Sequence, residues 1–163
     1  MKIKLLAIIV SLFVSQLVFA GNGLITKPSA NSVKETIDRL ENVLKSKGIT
    51  IVVRWAHHEK AANAGISLRP TELILFGNPK LGSHMFTSQQ TAGIDLPMKA
   101  LAWEDANGKV WLTYNDPAYI AKRHGIEDRE EIVKKMTGAL NKFSNIATSA
   151  GAMPKPPSPV TVN

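Results

Sequence analysis

A chain of 163 residues has room for one domain. With no cysteine it can form neither a disulfide nor a lipoprotein anchor, so its fold must be held by its core alone. The net charge of +7 is spread along the chain, with Lys122-Arg123 and Lys134-Lys135 as adjacent basic pairs, and no basic stripe interleaved with aromatics marks a nucleic-acid binder.

The first residues read as an export signal. Lys2 and Lys4 make a short positive region, Leu5 to Phe19 is largely apolar, and Val18-Phe19-Ala20 is a small-x-small cleavage pattern. A membrane anchor needs about 20 apolar residues. This run is shorter and is interrupted by Ser11, Ser15 and Gln16, so cleavage after Ala20 is expected, with a periplasmic or secreted product. No later segment is apolar enough to span a bilayer, and no membrane partner is expected once the signal is gone. The organisation is then a signal peptide over 1–20, one domain over 21–151 and a proline-rich tail over 152–163. That tail carries Pro154, Pro156, Pro157 and Pro159 and is expected to be disordered.

Within the domain, Ser32-Val33-Lys34-Glu35 is a capping box, and Val33, Ile37, Leu40 and Leu44 recur at helical spacing, predicting a helix from Ser32 to Lys47 closed by Gly48. Ile49 to His57 alternates as a strand, with Ile51, Val53, Trp55 and His57 assigned to the inward face and Arg54 and His58 to the other. A short alanine-rich helix over 59–64 follows, then a strand over 71–76. Asn78 and Pro79 are an N-cap and first residue for a helix over 79–89. A hairpin with strands over 98–104 and 109–114 turns at Asn107-Gly108. Asp116-Pro117 opens another short helix, and Asp128 with Glu131 is read as a second capping box starting the last helix. The stripe of that helix is Ile132, Met136, Leu140, Phe143 and Ala147. The fold class is α+β, a single antiparallel or mixed sheet of about four strands with helices packed on it.

Taken in order, these elements resemble the bacterial family known as domain of unknown function 302, over about residues 32–125. The residues carrying the likeness are Thr36 to Leu40, His57 with Ala61 and Gly65, Leu68 to Leu73, Phe76 to Lys80, Asp95-Leu96-Pro97, Trp103 to Asp105 and Tyr114 to Pro117. The resemblance implies a compact α+β fold with an antiparallel sheet, frequently paired as a homodimer. It implies no chemistry.

Gly77-Asn78-Pro79-Lys80 joins a strand to a helix start, where backbone N–H groups and the helix dipole favour an anion, unless the turn is simply a capped one. His57 is a candidate because histidine, as a residue type, can change its charge near neutral pH. With Arg69, Asn78 and Lys80 it forms the candidate binding set for a small anionic or polar ligand, provided the strands ending at His57 and Phe76 run parallel. Trp55, Trp103, Trp111 and Tyr114 either line a pocket or fill the core. His57, His58, Glu59, His84, Met85 and Met98 are of types that suit copper, but no ligand spacing joins them. Signatures of hydrolases, phosphate loops and metalloproteases are absent from the sequence, and no cofactor is implied. The expectation is an exported non-enzymatic binding or accessory module. The alternatives are a hydrolytic or proton-transfer enzyme using His57 with Asp95 or Glu72, a periplasmic copper-binding protein, and a structural interaction protein.

Overall fold

The computed structural model describes residues 22–154; the proposed signal and its Ala20 site, and the tail from Lys155, lie outside them. Its elements in chain order are β1 (Leu24–Pro28), α1 (Val33–Ser46), β2 (Thr50–Ala56), α2 (His57–Asn63), β3 (Thr71–Gly77), α3 (Pro79–Ser88), a 3-10 turn (Gln90–Ile94), β4 (Met98–Glu104), β5 (Val110–Asn115), α4 (Pro117–Arg123) and α5 (Glu130–Thr148). The strands form one antiparallel sheet in the order β1-β5-β4-β3-β2. The fold is α+β, with five strands where about four were expected.

The additional strand is β1, which pairs with β5 from Leu24↔Asn115 to Pro28↔Trp111. Five residues ending in a proline carry almost no strand signal, and proline is tolerated there because the strand lies at the sheet edge. Lys27 secures it. Its ammonium donates to Asn141 Oδ1 at 2.7 Å, Ser144 Oγ at 2.8 Å and Asn145 Oδ1 at 2.6 Å, tying the edge strand to α5.

Helices α1 and α5 cover one face of the sheet. Ile37, Leu40 and Leu44 of α1 meet Ile74, Phe76, Ala100, Ala102 and Leu112 in the core, joined by Met136, Leu140, Phe143 and Ala147 of α5. Burying each large aliphatic side chain contributes about 1.5–3 kcal/mol. Ser32 Oγ accepts from Glu35 N–H at 3.2 Å and Gly48 takes φ +67°, so α1 starts and stops where the sequence signals. The second capping box does not form. Helix α5 begins at Glu130 after Arg129, because Asp128 accepts from Ser88 Oγ at 2.6 Å instead of capping.

Strand β2 departs from simple alternation. A bulge between Ile51 and Val53 places Ile51 opposite Phe76 on the helix side, Val53 opposite Leu75 on the open side, and Arg54 opposite Ile74 on the helix side. One extra residue reverses the faces of everything after it. Val53 and Trp55 therefore point away from the helices and remain 40% and 45% exposed, correcting the inward assignment. His57 is the first residue of α2, beyond the end of the strand.

Beyond α5, Arg39 donates to Gly151 O at 2.9 Å and Asn42 Nδ2 to Pro154 O at 3.4 Å, so the chain stays against α1 as far as Pro154.

Candidate functional site

The antiparallel pairing of β2 with β3 separates the four residues singled out from sequence. Ala56 faces Glu72 and Thr50 faces Gly77, so His57 lies at the opposite end of the ladder from Asn78. Six residues of strand, at about 3.4 Å each, put roughly 20 Å between the two ends. Arg69 shares the His57 end, where its Nε donates to Glu104 O at 3.0 Å, while Lys80 shares the Asn78 end and is exposed. The set falls into two pairs, and the parallel arrangement that would have joined them does not occur.

Asn78 acts as the cap its position implied. Its Oδ1 accepts from Lys80 N–H at 2.9 Å, and its backbone oxygen accepts from the Leu81 and Gly82 N–H groups at 3.0 and 2.8 Å. With Pro79 lacking a donor, the first-turn N–H groups through Gly82 are already engaged. No backbone donor there is left for an anion.

The other sequence candidates are also accounted for. Glu72 receives Arg54 Nε at 2.8 Å and Asp95 Oδ2 lies 2.7 Å from His124 Nε2, and among the described residues neither carboxylate is hydrogen-bonded to His57. His58 Nδ1 lies 3.0 Å from Thr71 O and 3.2 Å from Thr71 N, a contact that ties α2 to the start of β3. Met85 and Met98 are buried in the core. Among the described residues no group of three His, Cys, Asp or Glu side chains is placed to hold a metal ion. Tyr114 is buried, whereas Trp103 and Trp111 stack at 6.3 Å between ring centroids on the open face of the sheet.

What the structure brings together instead is an apolar pocket of about 290 Å³. It opens where β2 begins and β3 ends, between α3, α5 and the segment leading into β4. Phe76, Leu81, Phe86, Met136, Leu140 and Phe143 form its walls, and Thr50, Asn78 and Ser83 are its polar lining residues. Among the described residues no charged side chain lines it. Gly77 at its rim is close to Pro97; a Cβ there would lie 3.2 Å from Pro97 Cβ, so a side chain would press on the pocket wall. A cavity of about 150 Å³ accepts a benzene ring, so this one has room for roughly two. Sequence reasoning reached Asn78 at its mouth but not the pocket, whose walls read as ordinary core positions of a strand and two helices.

Residues 25–143 match the family described as "Domain of unknown function DUF302". The chain belongs to the DUF302 family. A solved DUF302 structure described as an uncharacterized conserved protein from Bacillus stearothermophilus superposes with a TM-score of 0.70 at 20% identity, covering 79% of this chain and 100% of that one, a likeness of fold. Among curated proteins, the chain is 46% identical over 127 residues to "Fluoride-specific ion channel FluC 1" of Brucella suis biovar 1 and to the protein of the same name of Brucella abortus biovar 1. The matched stretch is 76% of this chain and 50% and 47% of those proteins, so the chain spans about half the length of the curated relatives it matches. Among the described residues of this chain no helix is long and apolar enough to cross a membrane.

Proposed function

We propose that this DUF302 domain is a binding module for a small, largely apolar ligand held in the pocket between α3, α5 and the start of β2. The observation that carries this reading is the pocket itself: about 290 Å³ with no charged side chain on its lining among the described residues. Ligand sites are typically concave and mostly apolar, with a few polar groups that orient the ligand. Thr50, Asn78 and Ser83 are the polar partners available to a single polar group on such a ligand. This replaces an anionic ligand with one whose body is apolar, because burying a charge without a partner is costly.

Two further aspects belong to the same proposal. The domain works outside the cytoplasm, its mature chain starting at Gly21; the support is the pattern of residues 1–20. It acts as an accessory module. The support here is that a stretch 46% identical to it makes up about half of proteins named as fluoride-specific ion channels. Pairing as a homodimer is supported by the open sheet face and its border, where Trp55, Ile66 and Leu68 are 45%, 61% and 46% exposed, since large exposed apolar patches mark interaction surfaces.

Naphthalene titrated into ¹⁵N-labelled protein tests the pocket reading. Amide shifts at Gly77, Gly82 and Ala139 are the expected result. Saturating naphthalene that moves no signal, or only signals at the far end of β2 and β3, overturns it.

A further inference from the structure

Thr91, His124 and Asp95 form a hydrogen-bonded chain that the binding role leaves unused. Asp95 Oδ2 lies 2.7 Å from His124 Nε2, and His124 Nδ1 lies 3.1 Å from Thr91 Oγ1. Two elements far apart in sequence supply these groups: Thr91 belongs to the 3-10 turn, Asp95 caps the end of that turn, and His124 closes α4. Arg123 Nη1 holds the second Asp95 oxygen at 3.2 Å. The Asp95 and His124 side chains are only 12% and 8% exposed, while Thr91 is exposed.

The directions of the bonds follow from the groups. An ionised carboxylate only accepts, so Asp95 takes the Nε2 proton of a neutral imidazole. In that neutral form Nδ1 is a lone pair, and the hydroxyl of Thr91 is the donor to it. A hydroxyl donating to an imidazole that is itself oriented by a carboxylate is the arrangement that activates a nucleophile. Thr91 lies in an open groove lined also by Ser83 and Phe86, and these two residues line the apolar pocket as well. Groove and pocket therefore adjoin across α3.

We propose that Thr91 is a nucleophile, activated by His124 with Asp95 as the positioning residue, toward small esters whose apolar part occupies the neighbouring pocket. The substrate class rests on the pocket reading above. In the first step Thr91 Oγ bonds to the ester carbonyl carbon as its proton passes to His124 Nδ1. The bond from that carbon to the alcohol oxygen breaks, and the alcohol leaves with the same proton. Water then attacks the acyl-threonine, His124 Nδ1 taking one of its protons and returning it to Thr91 Oγ. The sum is ester plus water giving acid plus alcohol, with no redox partner.

The test is hydrolysis of 4-nitrophenyl butyrate by the full chain, its Thr91→Ala variant and its Thr91→Ser variant, with naphthalene binding measured in parallel. Wild-type turnover above buffer, a loss of at least about 100-fold in Thr91→Ala and retention in Thr91→Ser are expected, in line with the usual contribution of positioned proton transfer. Because Thr91 is exposed, its truncation leaves the fold intact, and unchanged naphthalene binding confirms that. Wild-type protein that binds naphthalene but does not cleave the ester overturns the relay and leaves the pocket reading standing. Equal rates for wild type and Thr91→Ala also overturn the relay. Absence of naphthalene binding overturns the pocket reading and, with it, the substrate class.

Discussion

Arg54 Nε donates to Glu72 Oε1 at 2.8 Å, diagonally across the pair of strands β2 and β3 and on the face covered by α1. The same guanidinium reaches Asp38 Oδ1 at 2.7 Å and Glu41 Oε2 at 2.8 Å on the helix. Only the bulge at Val52 makes this possible, because without it Arg54 would face the open side. One side chain thus ties the edge strand to both its neighbour and the helix above.

Replacing Arg54 by Met should destabilise the domain by about 1–3 kcal/mol, since the buried Glu72 carboxylate loses its donor. The pH dependence has a defined sign. Burial pushes the Asp38 carboxyl up, but bonds from Lys34 and Arg54 outweigh it and hold it below its usual 3.8; Glu41 is likewise held below 4.5 by Lys45 and Arg54. Carboxyls depressed on folding contribute stability that is complete above their unfolded values and lost as pH falls through the folded ones. The gap between wild type and Arg54→Met should therefore be widest above pH 4.5 and narrow below it. Urea unfolding at pH 7 and pH 3 measures both; a gap that widens in acid contradicts this account.

Filling the pocket should abolish ligand binding without unfolding the protein. Ala139 of α5 lines it and is only partly buried, so a Phe side chain at this position can occupy the empty space. Ala139→Phe should show no naphthalene-induced amide shifts and a thermal midpoint within a few degrees of wild type, as expected when added volume enters a cavity and not packed core. Retained binding would place the ligand elsewhere.

The open sheet face should be where two copies meet. Leu101 lies on the central strand β4, opposite Leu73 on one side and Thr113 on the other, all on the side away from the helices. A Leu101→Lys substitution puts a charge in the middle of that surface. Light scattering should give a dimer for wild type and a monomer for the variant, both folded by circular dichroism. A monomeric wild type at about 100 µM would refute pairing through this face.

Processing should leave Gly21 as the first residue. Intact-mass measurement of the exported product checks this, and a full-length species held in the membrane fraction would contradict it.

Much of this architecture was legible because it depends on neighbours in sequence. The stripe of Ile37, Leu40 and Leu44, the caps at Ser32 and Asn78, and the Asn107-Gly108 turn, with Gly108 at φ +76°, encode their local structure in residues three or four apart. Local signals failed where a distant partner competed. Asp128 reads as a cap, but Ser88, 40 residues away, takes its carboxylate. Likewise β1 exists because β5 and the acceptors around Lys27 hold it.

By itself, then, the sequence determined the α+β class, the family likeness and most helix and strand positions, because periodicity and capping act over a single turn. Only the tertiary structure decided which chemistry-bearing residues meet. The direction of β2 against β3 sent His57 and Asn78 to opposite ends, and one bulged residue turned Trp55 outward and Arg54 inward. Asp95 found its histidine at position 124, and six apolar residues from three elements closed around a pocket. Such encounters depend on strand order, register and helix docking, which are set by burial of the whole core and leave no signature in any short stretch of chain.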